Sequence, residues 1–263
     1  MKEKLVQEAG MKCANPGCSN YQVHIHHIQE WAIYKTHDER HMISICPTCH
    51  DEVHFGKLKI DDATIYQWKN IKRTKNNRDQ LFIEPDVDSK LLLGSIAVTG
   101  SSGLIVFELS NNNKLGFKLI DDDFFLVNLS ILDITNKEII KIVENHVKYS
   151  LNDKIQYERR PGRIRVTTSN TLNFVPVWSL PQMLSMNFTL DKGVLTLLDI
   201  EVFRPGLVKI KGFWVKSNAV VIITDKELAF IRPNIKYPFI IEGEGENTVL
   251  QYTGKVTTSL FGL

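Results

Sequence analysis

The chain falls into two stretches with different rhythms of apolar and polar positions. In the first, apolar positions come in short bursts. Residues 2–9 predict a short helix that Gly10 ends. From Val23 to Ile28 apolar residues alternate with histidines, the period of a strand, and residues 43–45 predict a second strand. Pro47 to Phe55 predicts a helix, with the proline near its first turn, where a missing N–H costs nothing, and Gly56 as its stop. A further helix is expected over residues 61–73. Asp61 or Asp62 can cap it, and Ile65, Trp68 and Ile71 or Lys72 fall near one face.

Asn76 and Asn77 then interrupt the helical pattern, and Glu84-Pro85-Asp86 reads as a turn. Beyond it, strand-like runs cover residues 91–98, 104–109, 115–120, 124–132 and 138–143, separated by Gly-Ser-Ser-Gly, Asn-Asn-Asn, Asp-Asp-Asp and Thr-Asn-Lys. The same texture continues through 163–168, 194–203, 207–215, 219–224, 227–231 and 248–252, with turns at Pro161-Gly162 and Pro205-Gly206. Short strands between turn clusters predict an antiparallel all-β domain, sandwich-like in architecture. The expected organisation is therefore a module over 1–80, a linker over 81–90 and a β-rich domain over 91–263.

Composition adds little to this picture. The 263 residues are 43% hydrophobic and 24% charged, ordinary for a globular protein with a sizeable core. No apolar run approaches the ~20 residues that cross a bilayer, and the N-terminus has no signal core, so a cytoplasmic protein without membrane contact is expected. The net charge of +2 is unremarkable, but its distribution is not. Lys69, Lys72, Arg73, Lys75 and Arg78 lie close together with no acidic residue among them. Such a tract can contact phosphates, or it can be a solvated helix end.

The four cysteines are Cys13, Cys18, Cys46 and Cys49, all in the first fifty residues. Two close pairs, each in a Pro-containing loop, suit a tetrahedral Zn²⁺ site better than a disulfide scaffold. Four thiolates leave no open position, so such a zinc is structural. Histidines crowd the same region. His50 and His54, at i and i+4, project from one helix face, and a strand opposite can offer His26. Since the thiolates satisfy the zinc, these three imply a second site with open positions, the pattern of a catalytic divalent ion. His27, beside a ligand, is then the candidate general base, because imidazole titrates near neutrality. His24 and His37 read as ordinary surface or packing residues.

These residues resemble those of bacterial HNH endonucleases, which have the ββα-metal fold. The resemblance covers about a quarter of the chain, from about residue 8 to 73. It rests on Glu-Ala-Gly-Met-Lys-Cys-Ala-Asn-Pro-Gly-Cys, on Val-His-Ile-His-His-Ile, and on the run from His41 through Cys-Pro-Thr-Cys-His-Asp-Glu-Val-His to Leu58. It implies an α+β protein whose N-terminal ββα-metal zinc module precedes the β domain. It also implies structural zinc on the four cysteines, His27 as general base, and a catalytic Mg²⁺, Mn²⁺ or other divalent ion on His26 and His50. The matching ligand one helical turn on, as in DNA-cleaving colicin domains, is His54. The family's middle Asn, which braces the loop that orients the base, is replaced by His41, a residue that also donates and accepts hydrogen bonds. The implied reaction is hydrolysis of a phosphodiester, with double-stranded DNA as partner and the Lys69–Arg78 tract as its phosphate contact.

Residues 91–263 carry no such motif. A basic cluster, Arg159, Arg160, Arg163 and Arg165, fits either an anionic ligand or a solvated sheet edge. A β domain fused to a nuclease suggests targeting, sensing or oligomerisation, by analogy with bacterial defence systems and mobile elements. Two other readings stay open: a zinc-dependent nucleic-acid-binding protein that does not cut, and an interaction protein dominated by its β domain.

Overall fold

The computed structural model describes every residue except 30, 36, 74–77, 122, 151, 244–247, 253–258 and 263. The chain divides into two compact units, Met1–Asn77 and Arg78–Leu263.

The first unit contains helix α1 (Lys2–Glu8), strand β1 (His24–His27), helix α2 (Trp31–Tyr34), a 3-10 turn (Glu39–His41), strand β2 (Met42–Ile45), and helices α3 (Pro47–Phe55) and α4 (Asp62–Asn70). Strands β1 and β2 pair antiparallel, with His26 opposite Ile43 and His27 opposite Met42. Helix α3 starts directly after β2. Its N-cap is Cys46, whose sulfur accepts the Cys49 N–H, and Pro47 fills the first turn. Helix α4 is capped by Asp61, which accepts the Thr64 N–H at 2.8 Å. It ends at Asn70 rather than 73, because Ile71 is extended and Arg73 turns inward to donate to the carbonyls of Ala14 and Trp68. The core is small: Ala9, Ala14, Ile28, Ile43, Ile45 and Ile65, together with Cys13, Cys46 and Cys49. A core of that size is marginal without a staple, and three of its members are metal-ligand residue types.

The second unit is sheet-rich. Among the described residues a seven-stranded sheet runs in the order Ser259–Gly262, Gly103–Ser110, Asn113–Ile120, Phe124–Leu132, Glu138–Val143, His146–Tyr149, Arg78–Gln80. A ten-stranded sheet has the path Ile155–Arg160, Arg163–Thr168, Leu195–Arg204, Leu207–Lys216, Ala219–Ile223, Leu228–Ile231, Phe239–Ile241. From Leu207–Lys216 a branch leads through Lys90–Leu93 and Ile96–Gly100 to Thr248–Tyr252. Pairing is antiparallel except for three parallel contacts, which tie Lys90–Leu93, Thr248–Tyr252 and Ser259–Gly262 to their neighbours. Alternating positions of both sheets meet in one hydrophobic core that includes Phe107, Phe117, Phe125, Phe213 and Trp214. The segment read as a linker behaves differently: Leu81 and Ile83 are buried in this core. No helix among the described residues is long and apolar enough to cross a membrane.

Candidate metal centres of the first unit

The two cysteine loops converge. The sulfurs of Cys13, Cys18, Cys46 and Cys49 all lie within 4.8 Å of one another. Sulfurs around a tetrahedral zinc sit about 3.8 Å apart, given Zn–S bonds of roughly 2.3 Å, and Cys18 and Cys46 are already 3.7 Å apart. The loops are shaped by their own backbones. Asn15 closes the first with its side chain on the Gly17 N–H at 2.9 Å. Backbone N–H groups then point at sulfur: Cys46 N–H to Cys13, Cys49 N–H to Cys46 and Asn20 N–H to Cys18, at 3.3 to 3.4 Å. The Asn15 amide donates to the Cys49 sulfur at 3.4 Å.

Burial pushes the Cys13 thiol up to about 11 and moves Cys49 the same way. For Cys46 burial also opposes ionisation, but the hydrogen bonds it receives outweigh it and hold that thiol below the ordinary range. Four adjacent sulfurs in a small core cannot all carry charge alone. The donor set fits a divalent cation that supplies the opposite charge.

A second convergence lies beside the first. Ring nitrogens of His26, His50 and His54 also fall within 4.8 Å of one another. The helical spacing of His50 and His54 puts their rings 4.6 Å apart, and β1 brings His26 to 5.0 and 5.2 Å from them. His26 is buried, His50 half-buried and His54 exposed, so the cluster has a closed floor and an open mouth. Burial first, and then the neighbouring His50, His54 and His27, lower His26 to about 4. A neutral imidazole is the metal-binding form, so this environment keeps the lone pair available.

The remaining expected residues are distributed as follows. His27 is half-buried at the end of β1, and its Nε2 lies 3.0 Å from Nδ1 of the exposed His37, which the sequence reads as an ordinary surface or packing residue. His41 closes the 3-10 turn. Its carbonyl accepts the Ile28 N–H at 2.8 Å, and its Nδ1 lies 2.6 Å from the Tyr66 hydroxyl. Tyr66 was also missed, since an aromatic on a helix face ordinarily signals packing. His24 is exposed.

The described residues of the basic tract have different surroundings. Lys69 pairs with Glu8 at 3.3 Å, and Arg73 is turned into the first knuckle. Lys72 is exposed, Lys75 lies outside the described residues, and Arg78 belongs to a strand of the second unit. Three arginines of the second unit's basic cluster are likewise engaged. Arg159 pairs with Asp79, Arg160 with Glu201, and Arg163 with Asp199 through two hydrogen bonds of 2.7 and 2.8 Å.

No curated protein and no solved structure matches the chain. Residues 11–56, the segment that carries both knuckles, the β1–β2 hairpin and helix α3, match the family model for HNH endonuclease.

Proposed function

We propose that the first unit is a metal-dependent endonuclease that hydrolyses DNA phosphodiester bonds. The observation that carries this reading is the convergence of His26, His50 and His54 next to His27, on a hairpin and helix joined by the four-sulfur cluster. Zinc on Cys13, Cys18, Cys46 and Cys49 is proposed as structural, and Mg²⁺, Mn²⁺ or another divalent ion on the three histidines as catalytic. Bound there, that ion supplies positive charge to the scissile phosphate and to the leaving oxygen. His27 accepts a proton from the attacking water as the new O–P bond forms, and the P–O3′ bond breaks with the leaving 3′ oxygen taking a proton from solvent water. The products are a 5′-phosphate and a 3′-hydroxyl. Among the described cations of the tract, exposed Lys72 is proposed as a phosphate contact, with Lys57 and Lys59 exposed just past His54. For the β domain we keep the roles of targeting, sensing or oligomerisation.

Purified protein should nick or linearise plasmid DNA with Mg²⁺ or Mn²⁺. His27→Ala should lower the rate by roughly 10²–10⁴-fold, the usual worth of a general base, with bound zinc unchanged. Equal cleavage by the variant removes His27 from the mechanism. Salt-sensitive DNA binding without cleavage under any metal selects the non-cutting reading.

A further inference from the structure

We propose that His37 is a positioning residue for His27, holding the ring through a direct imidazole–imidazole hydrogen bond that selects its tautomer. The inference rests on the reading of His27 as the general base. The two rings meet with Nε2 of His27 3.0 Å from Nδ1 of His37, centroids 5.1 Å apart and planes tilted by 51°. Each neutral imidazole has one N–H and one lone pair, so this contact needs one donor and one acceptor. Two arrangements satisfy it. If His37 donates from Nδ1, it occupies the Nε2 lone pair of His27, whose proton then sits on Nδ1. That ring has nothing left to accept a proton from water. If His27 donates from Nε2, its Nδ1 lone pair is available for the water, and His37 carries its own proton on Nε2. Only the second arrangement allows His27 to act, and His37 is then the acceptor that fixes it. A partner on the far nitrogen of a working histidine is the usual way that tautomer and ring rotation are set.

The surroundings of His37 suit that task. The next residue, Asp38, caps the 3-10 turn by accepting the Arg40 N–H at 2.9 Å and also binds the Arg40 guanidinium. The last residue of the turn, His41, accepts the N–H of Ile28, the residue after His27. Its ring is tied to Tyr66 of α4 at 2.6 Å. The segment from His37 to His41 therefore grips His27 twice, by its ring and through the backbone beside it. The hydrogen bond at His37 reaches the one atom group that the backbone grip does not control, the imidazole itself.

The test uses the full zinc-loaded chain with ¹⁵N-labelled histidine. Ring-nitrogen NMR should show His27 in one tautomer, protonated at Nε2. His37→Ala should convert this to a mixture, and His37→Gln, which keeps an acceptor, should restore the single form. In plasmid cleavage, His37→Ala should lower kcat by roughly 10–100-fold with KM unchanged, the scale for losing a group that orients a site residue, and His37→Gln should recover most of it. An unaltered His27 tautomer in His37→Ala overturns the proposal and marks the contact as incidental. The NMR result stands whether or not the wild-type chain cuts DNA. Absence of cleavage by wild type with the tautomer shift present would sink the nuclease reading and leave the positioning role.

Discussion

His26 and His27 are neighbours of the same residue type, yet their surroundings differ. His26 is buried against two other imidazoles and is held neutral, while His27 sits half-exposed with one nitrogen against His37. The same contrast between sequence identity and environment appears at Asp199 in the second unit. Its carboxylate is buried, which by itself would raise its pKa, but the paired hydrogen bonds from Arg163 and the charges of Arg163, Lys211 and Arg165 hold it below the ordinary range. A carboxyl depressed in the folded state stabilises fully above its unfolded value of about 3.9, and that contribution is lost as pH falls through the lower folded value. Thermal stability of the second unit should thus drop as pH falls below about 4. Asp199→Asn should remove about 2 kcal/mol at neutral pH, as for other hydrogen bonds to charge, and flatten the acid limb. Thermal melts across pH measure both. An acid limb of unchanged steepness in the variant would mean that other carboxylates carry it. At this scale the cysteines and the histidine triad were legible because each residue type announces its chemistry. His37 and Tyr66 were not, because their contacts come from where a loop and a helix place them.

Among elements, helix α3 carries most of the consequence. Its first residue cap is a cysteine, its first turn contains the second knuckle, and its next two turns present His50 and His54. The sulfur cluster therefore sets the origin of the helix, and the helix sets where the imidazoles arrive. Cys46→Ser separates the two functions of the cap. Serine is a good acceptor for the Cys49 N–H, so the cap survives, but a thiolate ligand is lost. The variant should fail to hold the proposed zinc and lose much of the roughly 10–16 kcal/mol that structural zinc contributes in small modules. Asp61→Ala, which removes only the α4 cap, should cost about 1 kcal/mol and leave zinc in place. Metal content and helix circular dichroism distinguish the pair, and retention of zinc by Cys46→Ser would dismiss the four-sulfur site. Element boundaries show what sequence could carry. Helix α3 lies at its expected limits because proline, glycine and the knuckle punctuate it. The run 91–98 reads as one strand because apolar residues dominate it, yet it is two, Lys90–Leu93 and Ile96–Gly100. The break is Gly94, at φ 65, where a Cβ would sit 2.5 Å from the Glu227 nitrogen. The strands Arg78–Gln80 and His146–Tyr149 escaped because short polar segments acquire strand character from their pairing with each other, not from periodicity.

At the level of the whole molecule, the two units stand on different physics. The second buries a large continuous core from two sheets, with more than forty apolar residues in one cluster, and holds no cysteine. Among the described residues the first gathers a cluster of only nine buried residues, three of them cysteines. A core that small leaves little surplus over chain entropy, so the stability of the first unit must depend on the proposed zinc, whereas that of the second need not. Binding free energy adds only to the unit that binds, so removing the ion should act on one unit alone. A strong chelator should release about one zinc per chain, as expected for one tetrathiolate site, and abolish the melting transition of the first unit together with the helical signal of α3 and α4. The β-sheet signal of the second unit should melt at the same temperature with and without chelator. DNA cleavage should vanish with the zinc and not return on adding Mg²⁺ alone, because His50 and His54 would no longer face His26. Recovery of cleavage with Mg²⁺ while the tetrathiolate remains empty would show that the imidazoles hold their arrangement without the knuckles, and the structural part assigned to the four sulfurs would have to be abandoned.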